Sequence, residues 1–136
     1  MNDPNIDILN RRFGASGRIA FRTGKTGTPI LSLVNRYGSC ELSLYGGHVL
    51  DYRPTGHAPV LFMSKKSFFE SGKPIRGGIP VCWPWFGSAS DRALPSHGFA
   101  RIMPWDLQST EYSSDVTEAR LSLSASEATR RFWPYA

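Results

Sequence analysis

Apolar and polar side chains alternate along several stretches of the chain, and this period of two limits the possible folds more than any other feature. Cys40, Leu42 and Leu44 alternate with polar residues, and the apolar residues of 19–21 and 119–125 do the same. Such a pattern places apolar side chains on one face of a strand and polar side chains on the other. Because antiparallel sheets commonly bury one face only, the sequence predicts an antiparallel, all-β protein.

Short apolar runs and turn residues add further strands to this prediction. Residues 30–34 and 60–63 are apolar runs of strand length. The pair Gly46-Gly47 can supply the positive φ angles of a tight turn, so we expect a hairpin whose second strand covers 48–53. The turn residues of 54–56 would end that strand.

Helices are expected to be rare in this chain. No segment of helical length carries apolar residues at helical spacing, and one short helix is predicted over 126–131, with Ser126 as its N-cap. The 13 glycines and 10 prolines among 136 residues argue against a helical bundle. The length suits a single domain.

The composition excludes several classes of protein. With 40% hydrophobic and 20% charged residues, the chain is globular rather than disordered. The uncharged run 77–90 is too short, and too interrupted by proline, to span a membrane. The N-terminus lacks the apolar stretch of a signal peptide, so Cys40 and Cys82 are expected to be free thiols in the cytoplasm.

One segment, 73–104, departs from the alternation. It contains many glycines and prolines, several aromatic residues and a few arginines, and long irregular segments of compact domains usually carry function. Aromatic faces and arginine side chains suit a polar, ring-shaped ligand that carries negative charge. The alternative is that Trp83, Trp85 and Phe86 belong to the core, since large aromatic residues dominate cores as well.

The three histidines give one candidate for a ligand contact. His97 lies in a loop beside Gly98, where it could approach a ligand and donate a proton; a structural or surface histidine is the alternative. His48 and His57 are interpreted as structural or solvated. None of the three has a partner at metal-ligand spacing, so neither a metal site nor a metal cofactor is predicted.

The N-terminal third is basic, which favours a second class of function. Six lysines and arginines and no acidic residue lie between Arg11 and Cys40, as in modules that bind the phosphates of nucleic acid. These charges are spread over predicted turns and strands, however, and solvated strand faces explain them better. We therefore expect no nucleic-acid partner.

Five blocks of sequence carry a family resemblance. They occur in order at 46–54, 59–64, 74–87, 94–101 and 126–134, with Arg-Gly-Gly-Ile-Pro in the third block and His-Gly-Phe-Ala-Arg in the fourth. In these blocks the chain resembles the bacterial D-hexose-6-phosphate mutarotases, also called glucose-6-phosphate 1-epimerases, which are relatives of the galactose mutarotases. The resemblance covers nearly the whole chain, from about Gly17 onward.

The resemblance implies both a fold and a reaction. The fold is the antiparallel β-sandwich, or supersandwich, of the galactose mutarotases, and the reaction interconverts the α and β anomers of a hexose 6-phosphate. A base removes the proton of the C1 hydroxyl, an acid protonates the ring oxygen, and the opened sugar closes again as the other anomer. General acid–base chemistry suffices, so the resemblance implies no cofactor and, beyond the small-molecule substrate, no membrane or protein partner.

The resemblance also assigns binding roles to particular residues. Arg76 matches a substrate-contacting arginine of the family, and His97 matches a sugar-binding histidine. Arg101 is a further candidate for anion binding, and a buried arginine paired with a carboxylate is the alternative. Gly77 and Gly78 would let the backbone come close to the ligand.

The catalytic residues of the family have no counterpart in this sequence. The family's acid histidine stands in a His-Thr-Tyr-Phe motif and its base glutamate comes later, both after the Phe-Trp-Pro block that this chain has at 132–134. We therefore expect residues 1–136 to be the N-terminal portion of a single domain, an incomplete sandwich that binds substrate without turning it over. The alternative is a noncatalytic module that binds carbohydrates or sugar phosphates.

Overall fold

Two antiparallel sheets form the framework of the computed structural model, which describes residues 4–135. The elements in that range are α1 (Pro4–Phe13), β1 (Ile19–Thr23), β2 (Pro29–Asn35), β3 (Gly38–Ser43), β4 (His48–Pro54), β5 (Asp106–Tyr112), β6 (Thr117–Ser122) and α2 (Glu127–Phe132), with one 3₁₀ turn at Ala100–Ile102. Strands β1 to β4 form a four-stranded sheet in chain order, and β5 pairs with β6. All of these pairings are antiparallel, as the sequence predicted.

Apolar side chains lie on both faces of the four-stranded sheet, because successive residues of a strand point to opposite sides. Leu31 is fully buried and lies opposite Phe21 of β1 and Leu42 of β3. These three side chains belong to a first core, together with others on the same face. The neighbouring residue Ile30 is 2% exposed and belongs to a second core on the opposite face. The sheet is therefore covered on both sides.

Helix α1 and the β5–β6 hairpin cover the first face. Partly buried side chains of the hairpin, Leu107 and Leu121 among them, pack against the first core. The Thr117 hydroxyl donates to the Val34 carbonyl at 2.8 Å and ties β6 to β2. Because the hairpin lies face to face with the larger sheet, the described part of the chain is a β-sandwich with one small layer.

The irregular segment that follows β4 covers the second face. Ile75 is 4% exposed and packs with Ile30, Tyr45 and Leu50 in the second core. Partly buried residues from either end of the segment, Met63, Phe69 and Ile102, complete this cluster. The segment that the sequence marked as functional is thus anchored on the sheet.

Helix α1 corrects the prediction that the N-terminal region contains no helix. Its apolar stripe is thin: Ile6 is buried, and Leu9 and Phe13 pack against the first core. The Asn10 side chain accepts from the Phe21 N–H and donates to the Phe21 carbonyl, both at 2.9 Å. A polar side chain thus forms hydrogen bonds with the outer edge of β1, and the spacing of apolar residues does not reveal such a contact. No helix within residues 4–135 is long and apolar enough to cross a membrane.

One strand prediction is wrong, and one strand of the structure was not predicted. Residues 60–63 form no strand, since Val60 and Phe62 are exposed and only Met63 makes an isolated bridge, to Gly77. Strand β5 was not predicted, because its sequence is mostly polar and its burial is partial.

Two local predictions are confirmed by the backbone. Gly46 and Gly47 have φ angles of 81° and 54° in the connection between β3 and β4. Ser126 is the N-cap of α2, and its hydroxyl accepts from the Thr129 N–H at 3.2 Å.

Candidate functional site

Backbone hydrogen bonds fix the Arg-Gly-Gly-Ile stretch, residues 76–79, between β4 and the chain at 62–64. The Ile79 N–H donates to the Val49 carbonyl at 2.8 Å, and the Gly78 N–H donates to the Phe62 carbonyl at 2.8 Å. Gly78 has a φ of 63°, and a Cβ at this position would collide with the Val49 carbonyl. Glycine therefore permits a backbone approach that no other residue could make.

Arg76 stands at the start of this fixed stretch with an exposed side chain. Its own N–H donates to the Ser67 hydroxyl at 3.0 Å, and its carbonyl accepts from the Ser64 N–H at 3.0 Å. Within residues 4–135 the guanidinium makes neither a hydrogen bond nor an ion pair. Its backbone is thus fixed while all its side-chain donors remain available to an external anion.

His97 is held by Gly87 in a left-handed conformation, with a φ of 61°. The Gly87 N–H donates to His97 Nδ1 at 3.0 Å, and the His97 N–H donates to the Gly87 carbonyl at 2.7 Å. Because Nδ1 accepts a hydrogen bond, the neutral ring carries its proton on Nε2. The free Nε2–H is therefore a donor for a ligand oxygen.

The loops that carry Gly87 and His97 are joined at Trp83. The Trp83 carbonyl accepts from the Phe99 and Ala100 N–H groups at 3.0 and 3.2 Å. Gly98 allows this approach, since a Cβ on it would collide with that carbonyl. The indole N–H of Trp85 donates to the Pro95 carbonyl at 3.0 Å.

Some aromatic side chains of this region are exposed to solvent and others are buried in the core. Phe86 is 82% exposed and its ring lies edge to face against His97, with 4.7 Å between centroids. Trp83 is 48% exposed, whereas Phe99 is 2% exposed. The interpretation of Trp83 and Phe86 as core residues is therefore wrong, and Phe86 is available to a ligand that reaches His97.

Arg101 is partly buried, and its side chain contacts the residue that precedes His97. Its guanidinium donates to the Ser96 carbonyl at 2.7 Å, and its Nε is buried without a partner. No carboxylate pairs with it among the residues described, so the alternative of an ion-paired arginine does not hold. Its role in binding an anion stays a prediction.

His48 lies beside Gly77 as a buried, hydrogen-bonded side chain, in agreement with its interpretation as a structural residue. The ring is fully buried, which excludes the solvated interpretation, and Nε2 donates to the Gly77 carbonyl at 2.6 Å. Nδ1 is buried and has no hydrogen-bond partner. Burial lowers the pKa of His48; the bond to Gly77 opposes this shift and the Arg101 charge adds to it. No sequence period marks such a contact.

These contacts connect the three predicted binding residues. Arg76 precedes the Gly77 carbonyl that His48 binds, Arg101 acts electrostatically on His48, and Arg101 also binds the carbonyl before His97. The structure gives no direct contact between the side chains of Arg76 and His97. Among the described residues, no group of three potential ligands could hold a metal ion.

A separate apolar groove of about 490 Å³ lies between β6, α2 and the Trp83 region. Its lining includes Val81, Trp83, Phe99, Leu121 and Trp133, and contains neither Arg76 nor His97. Apolar walls suit another part of a protein better than a sugar phosphate.

The basic residues of the N-terminal third are partly engaged within the protein. Arg22 pairs with Glu41 at 2.9 Å, and Arg36 pairs with Asp115 at 2.6 Å. Arg18 donates to the Ser113 carbonyl at 3.0 Å. Three of the six charges thus connect strands and turns of the sandwich.

Comparison with known proteins gives consistent results for sequence and structure. A sequence profile of the family described as "Aldose 1-epimerase" matches residues 29–136. The Escherichia coli (strain K12) protein named "Putative glucose-6-phosphate 1-epimerase" is 46% identical over 95 residues, which cover 70% of this chain and 32% of that protein. The protein of the same name from Salmonella typhimurium is 44% identical with the same coverage.

The fold also agrees with a solved structure. The crystal structure of "a putative mutarotase (YeaD) from Salmonella typhimurium" superposes with a TM-score of 0.83 at 34% identity, covering 90% of this chain and 41% of that one. This superposition confirms the predicted galactose mutarotase-like fold. The chain spans 32% of the length of each of these two curated relatives. Since the profile match covers most of the sequence, the chain belongs to the aldose 1-epimerase family.

Proposed function

We propose that residues 1–136 carry the substrate-binding portion of a glucose-6-phosphate 1-epimerase, the N-terminal part of a single domain that acts in the cytoplasm. The observation that carries this proposal is Arg76, an exposed guanidinium without an internal partner on a backbone that hydrogen bonds fix. An arginine in that state is suited to bind the phosphate of a hexose 6-phosphate through two parallel N–H bonds.

The other candidate residues would bind the sugar. His97 offers Nε2–H to a sugar oxygen, since Gly87 occupies Nδ1. The exposed ring of Phe86 beside it can cover the C–H face of the sugar. Arg101 supplies positive charge behind His97 and would add to the attraction for an anionic substrate.

The interconversion of anomers needs a base at the C1 hydroxyl and an acid at the ring oxygen. The sequence contains no His-Thr-Tyr-Phe motif, so in this proposal the substrate is bound but the acid and the base are not supplied by these residues. Binding and turnover therefore separate, and each has its own test.

Binding is tested by calorimetry with glucose 6-phosphate and with glucose. We expect saturable binding of the phosphate ester and much weaker binding of the free sugar. The substitution Arg76→Gln should weaken binding by about tenfold or more, since a charged hydrogen-bond pair is lost. Arg130→Gln, which removes the same charge from an exposed position on α2, is the matched control and should leave affinity unchanged. Equal affinity of both variants would refute the role of Arg76.

Turnover is tested by NMR exchange between the anomers of glucose 6-phosphate. The chain should not accelerate the exchange beyond the rate in buffer. Clear acceleration that scales with protein concentration would overturn the proposal that these residues lack the catalytic acid and base.

The second candidate function is a noncatalytic module that binds carbohydrates or sugar phosphates. It shares Arg76 and His97 but requires a closed, monomeric fold. The exposed apolar groove lined by Trp83 and Trp133 argues against it, because such a surface favours self-association. Analytical ultracentrifugation that finds a monomer with cooperative unfolding would favour the module.

A further inference from the structure

His48 is the first residue of β4 and lies opposite Ser43 of β3. The side chains of both residues are fully buried, and His48 is among the largest fully buried side chains of the described chain. A buried polar ring has to be explained by its hydrogen bonds, since an imidazole without them costs free energy compared with an apolar side chain.

The ring uses one of its nitrogens to bind the stretch that carries Arg76. Nε2 lies 2.6 Å from the Gly77 carbonyl oxygen, and because a carbonyl only accepts, Nε2 carries the proton. The neighbouring carbonyl of Arg76 instead accepts from the backbone N–H of Ser64. The two peptide groups on either side of Gly77, those of Arg76–Gly77 and Gly77–Gly78, are thus each held by a hydrogen bond.

The shape of the stretch matches this ring. A Cβ on Gly78 would lie 2.9 Å from His48 Nε2, closer than real Cβ atoms come to other groups. Gly77 and Gly78 have φ angles of 106° and 63°, which side chains rarely adopt. Because residues 77 and 78 are both glycine, the backbone that follows Arg76 can approach the imidazole closely.

We propose that His48 is a positioning residue for phosphate binding: its Nε2–H bond to the Gly77 carbonyl fixes the backbone from which Arg76 reaches the substrate. The expected effect on phosphate binding rests on the proposed function, whereas the geometry of the His48–Gly77 hydrogen bond does not depend on it. Charge supports it as well, because Arg101 is the charged group that acts on the ring and opposes a second proton there.

Two substitutions separate the hydrogen bond from the volume of the ring. His48→Phe fills the space without a donor, whereas His48→Gln keeps an N–H donor at the end of the side chain. Calorimetry should find glucose 6-phosphate bound about tenfold more weakly by the phenylalanine variant and nearly normally by the glutamine variant. Normal affinity of the phenylalanine variant would overturn the proposal.

A double-substitution cycle tests whether the effect passes through Arg76. In the Arg76→Gln background, His48→Phe should weaken binding no further, because the residue that His48 positions is already gone. A merely structural histidine would lower affinity by the same factor in both backgrounds, and that result would contradict the proposal.

Limited proteolysis reads the positioning without any ligand. Trypsin should cleave after Arg76 faster in the phenylalanine variant than in the wild type, while cleavage after the exposed Arg92 keeps its rate. Equal cleavage after Arg76 in both would contradict the positioning role. If the wild type fails to bind glucose 6-phosphate, the proposed function fails, and the proteolysis still decides the role of His48.

The wild-type protein supplies a test that no folding defect can disturb. Nitrogen-15 NMR of the imidazole should find the proton on Nε2 of His48, in slow exchange with water. A ring protonated on Nδ1 alone would refute the inference, since Nε2 could then donate nothing to Gly77.

Discussion

The two faces of the four-stranded sheet are covered in different ways. On the first face, apolar side chains from α1 and from the β5–β6 hairpin pack against a core that contains Leu31 and Phe21. On the second face, an irregular segment packs on a smaller core through Ile75 and is also held by backbone hydrogen bonds, such as that of Ile79 to Val49. The first arrangement gives stability through burial, and the second gives precise backbone positions to Arg76 and His97.

This difference predicts how each face responds to substitution. Burial is summed over many contacts, so a truncated core side chain lowers stability in proportion to what is removed. Backbone contacts through glycine have no such tolerance, because one added methyl group must displace a carbonyl. Substitutions in the first core should mainly lower stability, whereas substitutions at the glycine contacts should weaken binding as well.

The largest expected effect comes from the first face. Leu31→Ala removes a side chain with no exposed surface and should lower the free energy of unfolding by about 2–5 kcal/mol. Urea unfolding monitored by circular dichroism measures this. Val34→Ala on the same strand, where the side chain is 37% exposed, is the control and should cost far less. Similar losses in both variants would mean that this core is not the main source of stability.

The first face was also the more predictable one. The strands around Phe21 and Leu42 followed from alternation, whereas the strand around Leu31 followed from an apolar run, since Ile30 and Leu31 are buried on opposite faces. Helix α1 was missed although Ile6, Leu9 and Phe13 stand at helical spacing, because the stripe is short and polar residues surround it. Residues 60–63 look like a strand in sequence, but they have no continuous partner and leave Phe62 exposed.

The backbone contacts of the irregular segment give the next effect in size. Gly98→Ala would drive a Cβ into the Trp83 carbonyl, whereas Gly87→Ala meets nothing within 4 Å. Gly98 and Gly87 both have positive φ angles, 71° and 80°, so each alanine variant bears a similar cost for that conformation. The Gly98 variant should be about 1–3 kcal/mol less stable than the Gly87 variant in urea unfolding. It should also bind glucose 6-phosphate more weakly, since His97 adjoins the displaced residue.

Equal stability of the two glycine variants would show that the Trp83 and Gly98 loops can separate without cost. The contrast between the faces would then be smaller than the backbone contacts indicate. Loss of binding without loss of stability would instead strengthen the contrast, because these backbone contacts would then only position the binding residues.

The site could be predicted only as far as its motifs. Arg76 and His97 were found through the blocks that carry the family resemblance. The bond between His48 and Gly77 joins residues 29 positions apart through a side chain and a backbone carbonyl, and no residue pattern encodes it. The exposure of Phe86 was likewise open, because an aromatic residue reads the same in a core and in a pocket wall.

The smallest expected effect is a pH dependence that belongs to the second face. Burial lowers the pKa of His48 below its ordinary value of 6.5, with the Arg101 charge acting in the same direction. As the pH falls below 6.5, the unfolded chain takes up a proton at His48 while the folded chain does not. The free energy of unfolding should therefore decrease on acidification, by at most about 1.4 kcal/mol per pH unit from this group.

Urea unfolding between pH 7.5 and pH 5.5 measures this contribution when wild type and His48→Gln are compared. Glutamine keeps the donor to Gly77 but does not titrate, and every other ionisable group is the same in both proteins, so the other contributions cancel. The wild type should lose more stability than the variant on acidification. Identical slopes would mean that His48 takes up its proton in the folded state as readily as in the unfolded chain. The second face would then have to open to water at His48, and the backbone contacts that distinguish it from the first face would not exclude solvent.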